Sequence, residues 1–115
     1  MVPLETKEGL RSCISEHFGR APYFALIELR DRDVKVEIIE NPRNLGYTPG
    51  QYVVAKGVEC VVIKGDIGIK ALQILREHGI KIIETSKLVL EDIIEELRSG
   101  KLREYKGKGC PGGRQ

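Results

Sequence analysis

A hydrophobic period of two runs through the first half of the chain, at residues 22–30 and 34–38. In the first segment one side of the strand would carry Tyr23, Ala25, Ile27 and Leu29, and the other Phe24, Leu26 and Glu28. In the second segment apolar residues alternate with Lys35 and Glu37. Strict alternation is typical of strands, and the polar residues 30–33 predict a turn between them. We therefore predict an antiparallel hairpin, preceded by a first strand at residues 2–6.

The second half alternates between helical and strand patterns. The predicted elements are a helix at 49–56, a strand at 58–63, a helix ending at His78, a strand at 80–83 and a helix at 89–98. Alternating strands and helices favour parallel strands joined by right-handed crossovers. The chain is thus predicted to form an α/β domain, with helices packed on the faces of a mixed sheet.

Length and cysteine content narrow the class of protein. A chain of 115 residues forms one domain and buries roughly two-thirds of the surface that its unfolded form exposes. No apolar run reaches the length of about 18 residues that a membrane helix needs, and the first residues lack a signal-peptide pattern, so we expect a cytoplasmic protein. Three cysteines without a Cys-x-x-Cys pair argue against a disulfide framework and against a zinc site made by one chain.

The charge is unevenly distributed along the chain. Residues 101–115 hold five basic side chains and one acid, a charge of +4, so residues 1–100 carry −2 of the total of +2. We predict a domain at 1–100 and a flexible, basic, Gly-rich tail at 101–115. The many charged residues, together with few Asn and Gln, fit a thermophilic source.

Most of the candidate chemistry lies between residues 13 and 24. This segment contains a thiol, Cys13, an imidazole, His17, and a fixed positive charge, Arg20. Neutral imidazole is the commonest metal ligand, and thiolates suit iron and iron–sulfur species. The structural alternatives are a His17 that packs beneath the loop and bonds to backbone, and a Cys13 that only fills space.

The same segment resembles the dinitrogenase iron–molybdenum cofactor biosynthesis family, which includes NifX, NafY and the C-terminal domain of NifB. The resemblance starts with Ser-Glu-His-Phe-Gly-Arg-Ala-Pro-Tyr-Phe at residues 15–24 and continues through Glu-Asn-Pro at 40–42, Gly-Val-Glu at 57–59 and Lys-Gly-Asp-Ile-Gly at 64–68. It covers nearly all of residues 1–100. It implies a three-layer α/β/α, ribonuclease-H-like fold with a five-stranded mixed sheet.

The resemblance also implies a function. The expected protein is a non-catalytic binding or carrier protein. Its cargo would be an iron–sulfur cluster, or a cluster that resembles the iron–molybdenum cofactor or its precursor. His17 matches the motif histidine of the family, and Cys13 and Cys110 are further candidate metal ligands. Arg20, Gly65 and Gly68 would balance the negative charge of the cluster. The expected partners are proteins that donate or accept the cluster, and a homodimer could share one site.

Two other classes of function stay open at this point. A metal-dependent nuclease would use the ribonuclease-H-like fold, but it needs several carboxylates that converge on metal ions. An interaction module would bind nucleic acid or protein through the basic tail. The aromatic residues do not interleave with basic ones as a stacking platform for nucleic acid would require.

Overall fold

The computed structural model describes residues 1–65 and 67–109. Within these residues the chain forms six strands, three α-helices and two short 3-10 helices. The strands are β1 (Val2–Leu4), β2 (Tyr23–Leu29), β3 (Val34–Glu40), β4 (Cys60–Ile63), β5 (Lys81–Glu84) and β6 (Arg103–Glu104). The helices are α1 (Pro49–Ala55), α2 (Ile69–Glu77) and α3 (Leu90–Ser99), and the 3-10 helices are Gly9–Arg11 and Pro42–Leu45.

The strands form two three-stranded sheets. In the first, β2 lies between β1 and β3 and is antiparallel to both. In the second, β5 lies between β4, to which it is parallel, and β6, to which it is antiparallel. The α/β class and the hairpin are therefore confirmed, but the expected single sheet of five strands is not what the structure shows.

Met1 connects the two sheets. Its amino group donates a hydrogen bond of 2.8 Å to the carbonyl oxygen of Cys60, and its own carbonyl accepts one of 3.0 Å from Val62. These two bonds place the start of β1 beside β4. The strands of both sheets therefore lie side by side around β1 and β4.

The core consists of two clusters on opposite faces of β4. Val61 and Ile63 belong to a cluster that includes residues of α1 and α2, whereas Val62 packs with residues of α3. Because successive side chains of a strand point to opposite faces, the helices cover both sides of this strand. Helices α1 and α2 thus pack on one face of β4, and α3 packs on the other.

Local signals explain where the helices begin and end. Thr48 and Gln51 form a capping box at the start of α1, each side chain bonding to the backbone of the other residue. Gly100 ends α3 in the left-handed conformation that glycine adopts without strain. Among the described residues no helix is long and apolar enough to span a membrane.

The packed structure continues past residue 100. Arg103 and Glu104 form β6, and Tyr105 is buried in the core cluster of α1 and α2, with its N–H donating to the carbonyl of Ile82. The domain boundary at residue 100 remains a prediction, but the chain stays packed on the fold at least to Gly109. Residues 110–115 of the predicted tail lie outside the described residues.

Candidate functional site

The segment at residues 13–22 is here called the motif loop. Ser15 connects this loop to β1 through hydrogen bonds. This serine is fully buried, and its backbone N–H donates to the carbonyl of Pro3 at 2.8 Å. Its hydroxyl donates to the carboxylate of Glu5 and accepts a hydrogen bond of 3.1 Å from the N–H of His17. The backbone of His17 is therefore fixed to the end of β1.

Phe18 anchors the motif loop in the core. Its side chain is 2% exposed and packs edge to face against Phe24 of β2, with ring centroids 5.5 Å apart. Ala21 is also buried. Burial of a phenylalanine of this size contributes about 1.5–3 kcal/mol. Because Phe18 points inward, its neighbour His17 stays at the surface.

A second support comes from the turn between β4 and α2, residues 64–68. The ammonium of Lys64 lies 2.9 Å from a carboxylate oxygen of Glu16, and this hydrogen-bonded cation holds the pKa of Glu16 below its usual value. A Cβ atom at Gly65 would lie 3.5 Å from the carbonyl oxygen of Glu16. The structure therefore brings the β4–α2 turn against the residue that precedes His17.

The third support comes from residues that follow β3. The side-chain amide of Asn41 donates to the carbonyls of Gly19 and Ala21, at 3.3 and 2.7 Å. The Nε of Arg43 also donates to Gly19, at 3.1 Å. Local sequence patterns do not reveal this support, because 20 or more residues separate Asn41 and Arg43 from the loop that they hold.

His17 and Arg20 are the exposed side chains of the turn that this framework supports. The N–H of Arg20 donates to the carbonyl of His17 at 3.3 Å, which closes the turn. The imidazole of His17 makes no hydrogen bond to residues 1–65 or 67–109. The alternative in which His17 packs beneath the loop therefore does not describe this structure.

Cys13 lies at the other end of the motif loop. Its backbone pairs with Val89, just before α3, and its N–H donates to the hydroxyl of Thr6 at 3.0 Å. The side chain is exposed. The third candidate ligand, Cys110, lies outside the described residues. Within residues 1–65 and 67–109, no three His, Cys, Asp or Glu side chains come close enough to hold a metal ion together.

The predicted glycines of the turn have different roles. Gly65 has φ of +97°, a conformation that side chains rarely adopt, and it lets the chain pass close to Glu16. Gly68 is buried and is the N-cap of α2, with no side chain capping the helix there. Asp66 lies outside the described residues.

The C-terminal strap, residues 105–109, also reaches this part of the fold. A Cβ atom on Gly109 would lie 3.1 Å from the carbonyl of Ile67 and from the Cα of Ile69, at the start of α2. The side chain of Arg76 holds the strap by donating to the carbonyl of Gly107 at 3.1 Å. The sequence offered no sign of this contact beyond the glycines themselves.

The described structure also contains a cleft away from the motif loop. It has a volume of about 680 Å³ and lies near the ends of β2 and β4, with Leu26, Tyr52 and Cys60 in its lining. Burial raises the pKa of the Cys60 thiol, which suits an unreactive structural residue. Among the described residues, none of the predicted site residues lines this cleft.

Comparison with known proteins identifies relatives of similar length. An uncharacterized protein of Methanocaldococcus jannaschii is 30% identical over 98 residues, which cover 80% of this chain and 82% of that protein. The NMR structure of a Thermotoga protein, provisionally described as a NifB protein, is 26% identical, with a TM-score of 0.75 and 96% of each chain covered.

A third relative shares the fold at lower identity. The apo form of the orange protein from Desulfovibrio gigas is 22% identical, with a TM-score of 0.70, and the match covers 92% of this chain and 91% of that one. The family match is more extensive than the motif loop alone. The pattern of the dinitrogenase iron-molybdenum cofactor family matches residues 1–100, and the chain therefore belongs to that family.

Proposed function

We propose that this protein binds and carries an iron–sulfur cluster, including precursors of the iron–molybdenum cofactor, without catalysing a reaction. The observation that supports this proposal most directly is the exposure of the His17 imidazole. The ring is exposed on a turn of the motif loop, and the fold does not use it in a hydrogen bond to a described residue. A neutral imidazole presented in this way is available as a metal ligand.

Membership of the family supports the same function. The family is named for the iron–molybdenum cofactor, and the match includes the motif loop, the Asn41 region and the β4–α2 turn. In this proposal the cluster is cargo. Proteins that deliver or receive it would be the partners, and the cytoplasm its location.

The ligand set would extend beyond His17. Cys13 is an exposed thiol, and Cys110 follows directly after Gly109, the last described residue of a strap that lies against the start of α2. The described residues offer no cluster of three ligands, so sulfide, Cys110 or a second copy of the chain would complete the coordination. A homodimer that shares one cluster is therefore part of the proposal.

The ribonuclease-H-like arrangement also belongs to the proposal. The two hydrogen bonds of Met1 to β4 support it, because they align both sheets side by side. A nuclease function finds no comparable support. Its metal ions would need carboxylates that converge, and the described part of the chain contains no group of three potential ligands.

The test is anaerobic reconstitution with iron and sulfide, read by visible absorption and by bound iron. We expect His17→Ala to lose most of the bound iron. The matched control is His78→Ala, because His78 is also exposed but its ring bonds to the carbonyl of Ile74 at 2.8 Å. Equal iron in wild type and His17→Ala would contradict the proposal.

The contribution of the C-terminal residues requires a truncation that spares the fold. Ending the chain at residue 100 would remove β6 and the buried Tyr105, so loss of iron could reflect unfolding. A chain that ends at Gly109, compared with Cys110→Ser in the full chain, avoids this ambiguity. If both variants lose iron, a ligand lies after Gly109. If both variants retain iron, Cys110 is not part of the ligand set.

A further inference from the structure

Arg43 is fixed by two hydrogen bonds, one of which reaches the motif loop. Its backbone N–H donates to the side chain of Asn41 at 2.9 Å, and its Nε donates to the carbonyl of Gly19 at 3.1 Å. The side chain is nevertheless exposed. A guanidinium anchored through Nε keeps the N–H groups of both Nη atoms as donors, in a planar fork.

The positive charges near His17 are not neutralised within the described part of the chain. The ion pairs there join Glu28 to Arg30, Glu16 to Lys64 and Glu84 to Arg103, and none includes Arg20 or Arg43. Because Glu16 is already paired with Lys64, the acid nearest to His17 in the sequence is engaged elsewhere. The turn of His17 therefore carries one guanidinium and is contacted by a second.

We propose that Arg20 and Arg43 form an anion-recognition edge beside His17 that binds the negatively charged edge of a metal–sulfur cluster, for which a compact thiometallate dianion is the probe. The assignment deepens the proposed carrier function and rests on it. Charge-assisted hydrogen bonds from a guanidinium fork are among the stronger polar contacts. The anchoring bond to Gly19 lowers the side-chain entropy that Arg43 would lose on binding.

The contribution of Gly65 and Gly68 to the charge balance of the cluster stays a prediction, and this edge is separate from it. The strap places Gly109 against Ile67 and Ile69, at the start of α2, so part of that helix end is already in contact with protein. Arg43 instead contacts the peptide group between Gly19 and Arg20, two residues after His17. The motif loop therefore presents the imidazole of His17 close to the positive charge of the arginines.

The test measures binding of the tetrathiotungstate dianion to the full chain at low salt, by equilibrium dialysis with absorbance detection. We expect Arg20→Gln and Arg43→Gln each to weaken binding about three- to tenfold, the range for partly exposed charge-assisted contacts. The control is Arg32→Gln, in the turn between β2 and β3, which changes the net charge equally. It should alter binding less than twofold.

A second comparison separates charge from loop support. Glutamine at position 43 can still donate to the carbonyl of Gly19, so Arg43→Gln should keep the denaturation midpoint of the wild type. Asn41→Ala removes two bonds to the loop and the bond from the Arg43 N–H, but no charge, so it should lower the midpoint and keep the salt dependence of dianion binding. The inference is wrong if both arginine variants bind the dianion as the wild type does, or if Arg32→Gln weakens binding equally.

The two proposals can fail separately. If His17→Ala loses iron but the arginine variants keep full dianion affinity, the carrier function stands and the anion edge is wrong. If the arginine variants lose dianion affinity while His17→Ala retains all its iron, the dianion site stands without the carrier function. Dianion binding needs no iron, so the second assay does not depend on reconstitution.

Discussion

The Nζ of Lys64 lies 2.9 Å from a carboxylate oxygen of Glu16, and this ion pair connects the end of β4 to the residue before His17. The two residues are 48 positions apart in the sequence. The Lys64 side chain is 23% exposed and that of Glu16 is 64% exposed, so water screens the pair and its direct effect on stability is small. The ion pair instead affects the position of the motif loop, because it keeps the loop backbone against the β4–α2 turn.

Replacing Lys64 by methionine should raise the pKa of Glu16 toward its ordinary value. The hydrogen bond and charge of Lys64 favour the ionised carboxylate, so the pair acts above the ordinary pKa of Glu16 and is lost as the pH falls through the lowered one. An NMR titration of the Glu16 carboxyl measures the change directly. The control is Lys70→Met on α2, an exposed lysine without a described ion pair. An unchanged Glu16 titration in Lys64→Met would mean that the pair does not form in solution.

Gly65→Ala should destabilise the protein and disturb the motif loop. A side chain at φ of +97° is strained by about 1–2 kcal/mol, although the added Cβ would itself have ordinary contact distances to Glu16. Gly57→Ala is the matched control, since Gly57 has φ of +69° with open space around it. Both variants should lower the free energy of unfolding, measured by denaturant titration. Only Gly65→Ala should shift the amide resonances of Glu16 and His17; equal shifts in both variants would contradict the proposed contact.

Local sequence patterns predicted the helices and strands, whereas long-range contacts determine the geometry of the candidate site. The period of two in β2 and β3 and the capping residues of α1 are encoded within a few positions, so these elements could be recognised from the sequence. β6 has only two residues and no period, and the burial of Tyr105 depends on Ile82, which is distant in the chain. The position of His17 could be identified by resemblance. Its support by Asn41 and Lys64 could not, because those bonds exist only once the sheets have formed.

The two described cysteines should differ in thiol reactivity. Cys13 is exposed, whereas burial raises the pKa of Cys60 and leaves less of the reactive thiolate. In a Cys110→Ser background, iodoacetamide should modify Cys13 well before Cys60, and mass spectrometry of peptides can follow both. Denatured protein is the control, because the difference should largely disappear when Cys60 is no longer buried. Equal rates in the folded protein would show that Cys60 is more accessible than the structure indicates.

Gly107→Ala should release the C-terminal strap from the fold. A Cβ atom at residue 107 would clash with the hydroxyl oxygen of Tyr105, and Tyr105 is buried in the core, so its ring has little room to move. The strap would lose its bonds from Arg76 to Gly107 and from Gly109 to the Tyr105 hydroxyl. Overpacking of this kind costs about 1–3 kcal/mol, which a denaturant titration can measure.

The control for the strap is Lys106→Ala, which changes an exposed neighbour and should leave the denaturation midpoint within experimental error. Hydrogen exchange adds a local measurement. Since Gly109 lies against Ile67 and Ile69, release of the strap should increase exchange at the start of α2 more than in the β2–β3 hairpin. If Gly107→Ala matches the wild type in both stability and exchange, Tyr105 does not occupy the core position that brings the strap to the start of α2.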